Sequence, residues 1–265
     1  MISRFIIGVL TACAMSAPAF GWGDAGHRMV CHVAWDNLQD KQRGEVKALL
    51  DVEGEAGFAD ACAWANHDRD EHPETKDWHV VYVPQDARNV DVSRDCPERT
   101  SCLIREIERN LQTVKSGAPR EQRATALKFL AHFVGDIHEP LRVGFAEDRG
   151  GEAIPATFLG KATTMRAMWD EDILATDPQA LESLRAAYQA YTPLDRLFVE
   201  WIETPPAAWA AESLWIMRTP ATGYVGNPGG LVFDEVYVKQ NMPVALDRIA
   251  KAGMRLGHVL NEALR

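Results

Sequence analysis

Positive charge is what this 265-residue sequence is short of: it holds 28 Lys and Arg against 38 Asp and Glu, a formal net charge of −10. A chain of that sign repels nucleic acid over its surface at large, which excludes binding by a broad basic face. Phosphate contact through bound cations is not excluded. Long apolar runs are missing too. The stretch from Phe5 to Ala14 is too short to span a bilayer, and nothing later in the chain is long enough. Internal repeats, low-complexity tracts and any linker between two domains are absent, which leaves one domain, residues 22–265. Strand signal is almost absent, with one β-like run, Trp78 to Pro84, and one such run makes no sheet. Cysteine is sparse at five residues.

The N-terminus has the make-up of an export signal over residues 1–21, with Arg4 as the basic region, Phe5 to Ala14 as the apolar region and Ala19-Phe20-Gly21 as a small-x-small cleavage site. The expectation is a mature, exported protein, periplasmic or secreted, that starts at Trp22. Cleavage removes Arg4 and no acidic residue, leaving 27 basic against 38 acidic side chains and a net charge of −11. Cys13 leaves with the signal. In an oxidising compartment the remaining cysteines can pair. Cys96 and Cys102 flank a short polar loop and are the first expected disulfide; Cys31 with Cys62 follows by elimination.

What the chain has in plenty is helical periodicity. Val30, Val33, Ala34, Leu38, Val46 and Leu49 predict one helix or a pair between His27 and Leu50, and Phe58 to Asn66 a further short helix, with His67 to Asp77 as a charged loop. Leu103, Ile104, Ile107, Leu111 and Val114 give a clear stripe ended at Gly117. Pro119 to Asp136 and Thr164 to Leu174 continue the pattern on either side of an irregular, glycine-rich segment 144–163. Pro178 to Tyr191, Pro193 to Glu203 and Pro206 to Met217 each open near a proline, which suits a first helical turn. Thr219 to Gly230 reads as a Pro/Gly loop, and Phe233 to Arg265 as a helix interrupted at Pro243. The fold class expected is all-α.

The central stretch is His132-Phe-Val-Gly-Asp136-Ile-His138-Glu-Pro-Leu-Arg142. His132 and Asp136 stand at i and i+4, so an imidazole and a carboxylate share one helix face, a natural pair of zinc ligands. Alone, that spacing describes a surface hydrogen-bonded pair more often than a metal site. Trp22-Gly-Asp-Ala-Gly-His27 adds an α-amino group and carbonyl able to chelate, with His27 behind two glycines. His32, His67, His72 and His258 have no such context and read as surface or structural. His138 lies off the ligand face and is expected to hydrogen-bond rather than to bind metal.

Taken in order, the mature Trp-Gly-x-x-Gly-His, the Trp64-Ala65-Asn66, the Trp78-His79, the Cys96-Pro97 loop, the His-Phe-x-Gly-Asp-x-His-x-Pro-Leu, the Gly150-Gly151 and the Trp169-Asp170 resemble the zinc-dependent S1/P1 nuclease family. Ala252-Gly-Met-Arg-Leu256-Gly-His-Val-Leu260-Asn is similar too, so the likeness covers essentially the whole mature chain. It implies a helical fold of the phospholipase C/P1 nuclease type with three zinc ions in a cleft. The implied ligands of the first zinc are the Trp22 amine and carbonyl with His27. Those of the second are Asn66, His79 and His132, with Asp136 bridging. The third-site positions are Arg142, Arg166 and Asp170.

Departures from the family pattern are concentrated there. Both histidines of the third site are arginine, a permanent cation that cannot ligate zinc. Two zinc ions are therefore expected. The family's aspartate is Asn66, a neutral ligand, for which Asp68 or Asp70 could substitute if a loop bends back. Glu152 stands where asparagine is usual, and Val80 where an aromatic often stacks a base. Arg69 fits its phosphate-binding position. Arg142 and Arg166 either take over part of the third zinc's charge role as a phosphate clamp, or Arg166 and Asp170 form an i,i+4 helix salt bridge in an abandoned site.

The activity implied is a zinc-dependent endonuclease that hydrolyses single-stranded DNA, RNA or nucleotides, as a monomer with no membrane span. A phospholipase C-like or nucleotidase action on another phosphoester stays within the same chemistry. The alternative is a non-catalytic descendant that binds a phosphorylated ligand or a partner protein.

Overall fold

The computed structural model describes residues 22–52, 54, 57–188, 200–225 and 230–265. The signal segment 1–21, most of the helix expected over 193–203, and residues 226–229 of the Pro/Gly loop lie outside them.

The His27 to Leu50 region is a pair of helices. α1 (Asp24–Asn37) buries Met29, Val30, Val33 and Ala34, and ends where Leu38 turns extended; α2 (Asp40–Leu50) follows. α3 (Phe58–Glu71) runs past Asn66, so the charged segment after it is not the loop expected. His67 and His72 are solvated there, and His72 lies 3.9 Å from Asp68 one turn back. The helix stops before Pro73, which opens a 3₁₀ turn, Pro73–His79. After a four-residue α4 (Val92–Asp95), α5 (Leu103–Lys115) buries the predicted stripe, with Leu111 at its edge.

α6 (Arg120–Asp136) is buried at every residue from Leu130 to Asp136, the mark of a helix surrounded by others. It packs against α1, α2, α3, α5 and the C-terminal helix Glu235–Ala263. That helix is continuous. Pro243 and Lys239, whose carbonyl loses its donor, are both exposed, so water replaces the missing bond and the expected interruption does not occur. α1 lies along the same helix at close range: a Cβ on Gly253 would come within 2.4 Å of the Val33 Cβ, and one on Gly257 within 3.0 Å of the Asn37 Cβ.

The expectation that no sheet forms is corrected by five short strands among the described residues. β1 (Val81–Val83) pairs in parallel with β2 (Val143–Phe145), matching Val81 to Val143. In the glycine-rich segment β3 (Pro155–Phe158) and β4 (Lys161–Thr164) form a hairpin, and β5 (Leu231–Phe233) joins β3 in parallel. Three- and four-residue strands are too short for an alternating pattern to register. They tie segments that leave the helices, and the helical class holds. Both expected disulfides are present. Cys31–Cys62 joins α1 to α3, and Cys96–Cys102 closes the loop before α5. Among the described residues no helix is long and apolar enough to cross a membrane.

Candidate metal centre

Asp136, at the last turn of α6, gathers three imidazoles from three different elements. His132 Nε2 lies 3.1 Å from its Oδ2, His79 Nδ1 2.8 Å from the same oxygen, and His27 Nε2 3.5 Å from Oδ1. His27 comes from the first turn of α1 and stacks on His132 with ring centroids 3.8 Å apart. Gly135 makes room for it, since a Cβ there would sit 2.6 Å from His27 Nδ1. All four side chains are fully buried, and one potential ligand atom each from His27, His132 and Asp136 falls within 4.8 Å.

The electrostatics favour a cation. His132 Nδ1 lies 2.8 Å from the Cys62 carbonyl, a group that only accepts, so the neutral ring carries its proton on Nδ1. Its Nε2 lone pair then lies 3.1 Å from the Asp136 carboxylate and 3.2 Å from His79 Nδ1. Burial pushes His27 down to about 4, helped by the neighbouring His132, and pushes His79 down to about 3 against the pull of Asp136. Both imidazoles are neutral at neutral pH. Burial alone would raise Asp136, but His132 and Arg142 hold it well below the ordinary carboxylate range. Both His27 nitrogens, His79 Nε2, Asp136 Oδ1 and Asn66 Oδ1 are buried without a hydrogen-bond partner. Nitrogen and oxygen donors in this state suit zinc.

Asn66 is fully buried on α3 and donates through Nδ2 to Asp24 Oδ1 at 3.1 Å, which leaves its carbonyl oxygen free. Asp68 lies two residues round the helix, against His72, so no loop bends it toward the site. The Asp70 side chain lies outside the described residues. Arg69 is buried and close enough to bear on His79. Trp22 is fully buried beside Gly26, and the adjoining Gly23 N–H donates to the Asp170 carbonyl at 2.7 Å.

The two arginines part company. Arg142 reaches Asp170 Oδ2 with Nη2 at 3.2 Å, and its Nε lies 3.8 Å from Asp136 Oδ1, so it spans the two carboxylates. Arg166 turns away, donating from Nε to the Gly150 carbonyl at 2.9 Å and from Nη2 to the Arg149 carbonyl at 2.6 Å. The i,i+4 pair of Arg166 with Asp170 is therefore not the bond formed. Met168–Asp172 is a π turn, whose extra residue breaks the helical register, and Arg142 holds the carboxylate. Burial raises Asp170 well above its ordinary range despite Arg142.

Glu139 belongs to this cluster, though its signal inside the central motif carried no role. It accepts the Leu141 N–H at 3.0 Å through Oε1 while Oε2 has no partner, and burial raises it. Val80 is buried, and Glu152 is an exposed side chain 3.9 Å from Arg149.

On the other side of the same helix end, His138 takes part in a different network. Its Nδ1 lies 2.7 Å from the Val134 carbonyl and its Nε2 2.8 Å from Arg255 Nη1. Arg255 and Arg248 both grip Glu212, at 2.6 and 2.7 Å, and Arg248 also donates to the His138 carbonyl and to Ser213, whose hydroxyl donates to the Ile137 carbonyl.

A family model described as S1/P1 Nuclease matches residues 22–265. Endonuclease 2 of Arabidopsis thaliana is 26% identical over 263 residues, covering 91% of this chain and 90% of its own. Nuclease S1 of Aspergillus oryzae is 24% identical over 265 residues, 92% of each chain. Nuclease P1 of Penicillium citrinum is 31% identical over 159 residues, 56% of this chain and 57% of its own.

Proposed function

The chain belongs to the S1/P1 nuclease family, and on that premise we propose that it is an exported, zinc-dependent phosphodiesterase that hydrolyses single-stranded DNA or RNA with two zinc ions rather than three. One observation carries this reading: a ligand atom each from the fully buried His27, His132 and Asp136 falls within 4.8 Å, with His79 Nδ1 2.8 Å from the same carboxylate and both His27 nitrogens and Asp136 Oδ1 left without a hydrogen-bond partner. With Trp22, these residues would hold the metal. When bound, zinc supplies Lewis acidity toward a phosphoryl oxygen and acidifies water.

The chain's own contributions follow from the geometry. Asp136 keeps its negative charge beside the neutral His27 and His79 imidazoles, and the Cys62 carbonyl accepts from His132 Nδ1. Burial keeps bulk water from the donors. Arg142 places a permanent cation 3.8 Å from Asp136, where a tetrahedral phosphate oxyanion would meet its fork. Arg69 is a second phosphate contact in this reading. Arg166 serves indirectly, by fixing the Arg149–Gly150 carbonyls. Asp170 is engaged by Arg142, which supports two metals over three.

A second reading, a non-catalytic descendant that binds a phosphorylated ligand, is favoured by one feature: a neutral amide at Asn66 and arginines at 142 and 166. Elemental analysis of protein beginning at Trp22, with assay on single-stranded substrate, separates the two. About two zinc per chain with cleavage supports the nuclease; near-zero zinc with retained phosphate binding transfers the lead to the binding protein. An Arg142→Ala, Arg166→Ala double variant that binds phosphate as tightly as the parent rejects the arginine role.

A further inference from the structure

Cys31 follows His27 by four residues on α1, and Cys62 precedes Asn66 by four on α3. At that spacing each cysteine lies on the same helix face as its partner, one turn away. The Cys31–Cys62 bridge, with Cα atoms 6.1 Å apart, therefore sets the separation of α1 and α3 one turn from two donor residues. A third element joins through the backbone. The Cys62 carbonyl is the acceptor, at 2.8 Å, that fixes the His132 tautomer and points Nε2 at Asp136. One cross-link thus bears on donors from α1, α3 and α6 together.

Both cysteines are buried in the core where α1 meets α3, so the cross-link has little room to shift without moving the helices. Metal–donor distances tolerate only about 0.2 Å of error. We propose that the Cys31–Cys62 disulfide is a positioning element of the metal site, and that its loss weakens metal binding in a chain that keeps its helices. The proposal rests on the reading that the site holds zinc. The second disulfide is a built-in control. Cys96–Cys102 closes a short loop and reaches the site at one remove, through the Leu103 N–H on the Val80 carbonyl at 3.1 Å, a bond made by the backbone of α5.

The test uses the full exported chain, stripped of metal, as Cys31→Ala/Cys62→Ala and Cys96→Ala/Cys102→Ala variants. Zinc affinity is read by competition with a chromophoric chelator, helix content by circular dichroism, and ligand geometry by the visible spectrum of Co2+ loaded in place of zinc. The first variant should bind zinc at least tenfold more weakly, with an altered Co2+ spectrum and parental helix content; the second should stay within twofold.

Should the first variant not fold, the unmodified protein answers instead. A bridge that favours metal is favoured by it. Bound zinc should then slow phosphine reduction of Cys31–Cys62 at least tenfold more than that of Cys96–Cys102. Unchanged affinity in the first variant, or equal slowing of both disulfides, overturns the proposal. A parent chain that binds no zinc overturns the metal-site reading itself, a result distinct from either.

Discussion

Two buried polar clusters flank the end of α6, and they are satisfied to very different degrees. Around His138, Arg248 and Arg255 the hydrogen bonds close on one another: Glu212 answers both guanidiniums, and the helix-end carbonyls of Ile137 and His138 have donors. Burial notwithstanding, the arginines pull Glu212 down to about 2. Around Asp136 complete burial leaves both nitrogens of His27, His79 Nε2 and an oxygen of Asp136 without partners. Buried polar groups are nearly always paired, so a closed network reads as architecture and an open one as a place kept for a ligand.

Changes on each side should therefore have opposite signatures. The largest effect belongs to Asp136→Ala, which removes the group common to three imidazoles. Zinc affinity should fall at least ~100-fold and hydrolysis with it, while metal-free protein keeps its melting temperature within a few degrees; retained zinc in this variant would break the contrast. Glu212→Ala should do the reverse, leaving zinc per chain unchanged and destabilising the fold by about 2 kcal/mol, below the full value for a buried pair because the carboxylate reaches solvent, and lowering Tm by roughly 4–8 °C.

The pH profile of metal-free protein sharpens the comparison. In the unfolded chain His27 and His79 take up protons near 6.5, but in the folded chain only near 4 and 3. The unfolded state binds more protons between those limits, so stability is full above about 6.5 and falls as pH drops toward 3. Calorimetry should find Tm lower by on the order of 10 °C at pH 4 than at pH 7. A flat profile would mean the imidazoles are solvated. The smallest test is a pair of glycines. Gly135→Ala pushes on the His27 ring and should weaken zinc binding several-fold, whereas Gly44→Ala, with nothing within 4 Å, should add about 0.5–1 kcal/mol of stability and leave zinc untouched.

Legibility from sequence followed the range of the interaction. The α5 stripe and the helical character of His27 to Leu50 were plain because helical periodicity is local, while the break at Leu38 that makes two helices was left open. The three-residue strands β1 and β2 were not, since their pairing joins Val81 to Val143 and neither run alternates long enough. At the site, His27, His132 and Asp136 stood out through motif order. The Arg142–Asp170 bond did not, because a π turn shifts the register that made Arg166 look like the partner. Arg248 and Arg255 carried no signal in the sequence, and nothing local announces that Glu212 closes over them.

The close seating of α1 on Gly253 and Gly257 has a consequence in time. A chain is made from its N-terminus, so the helix that carries His27 exists long before the surface it rests on. Every donor residue has been synthesised by the time Asp136 emerges, yet the seat that brings α1 into place, Gly253 and Gly257, is translated more than a hundred residues later. Docking of α1 on that seat therefore waits until residues 253–257 have been made, well after the parts of the site exist.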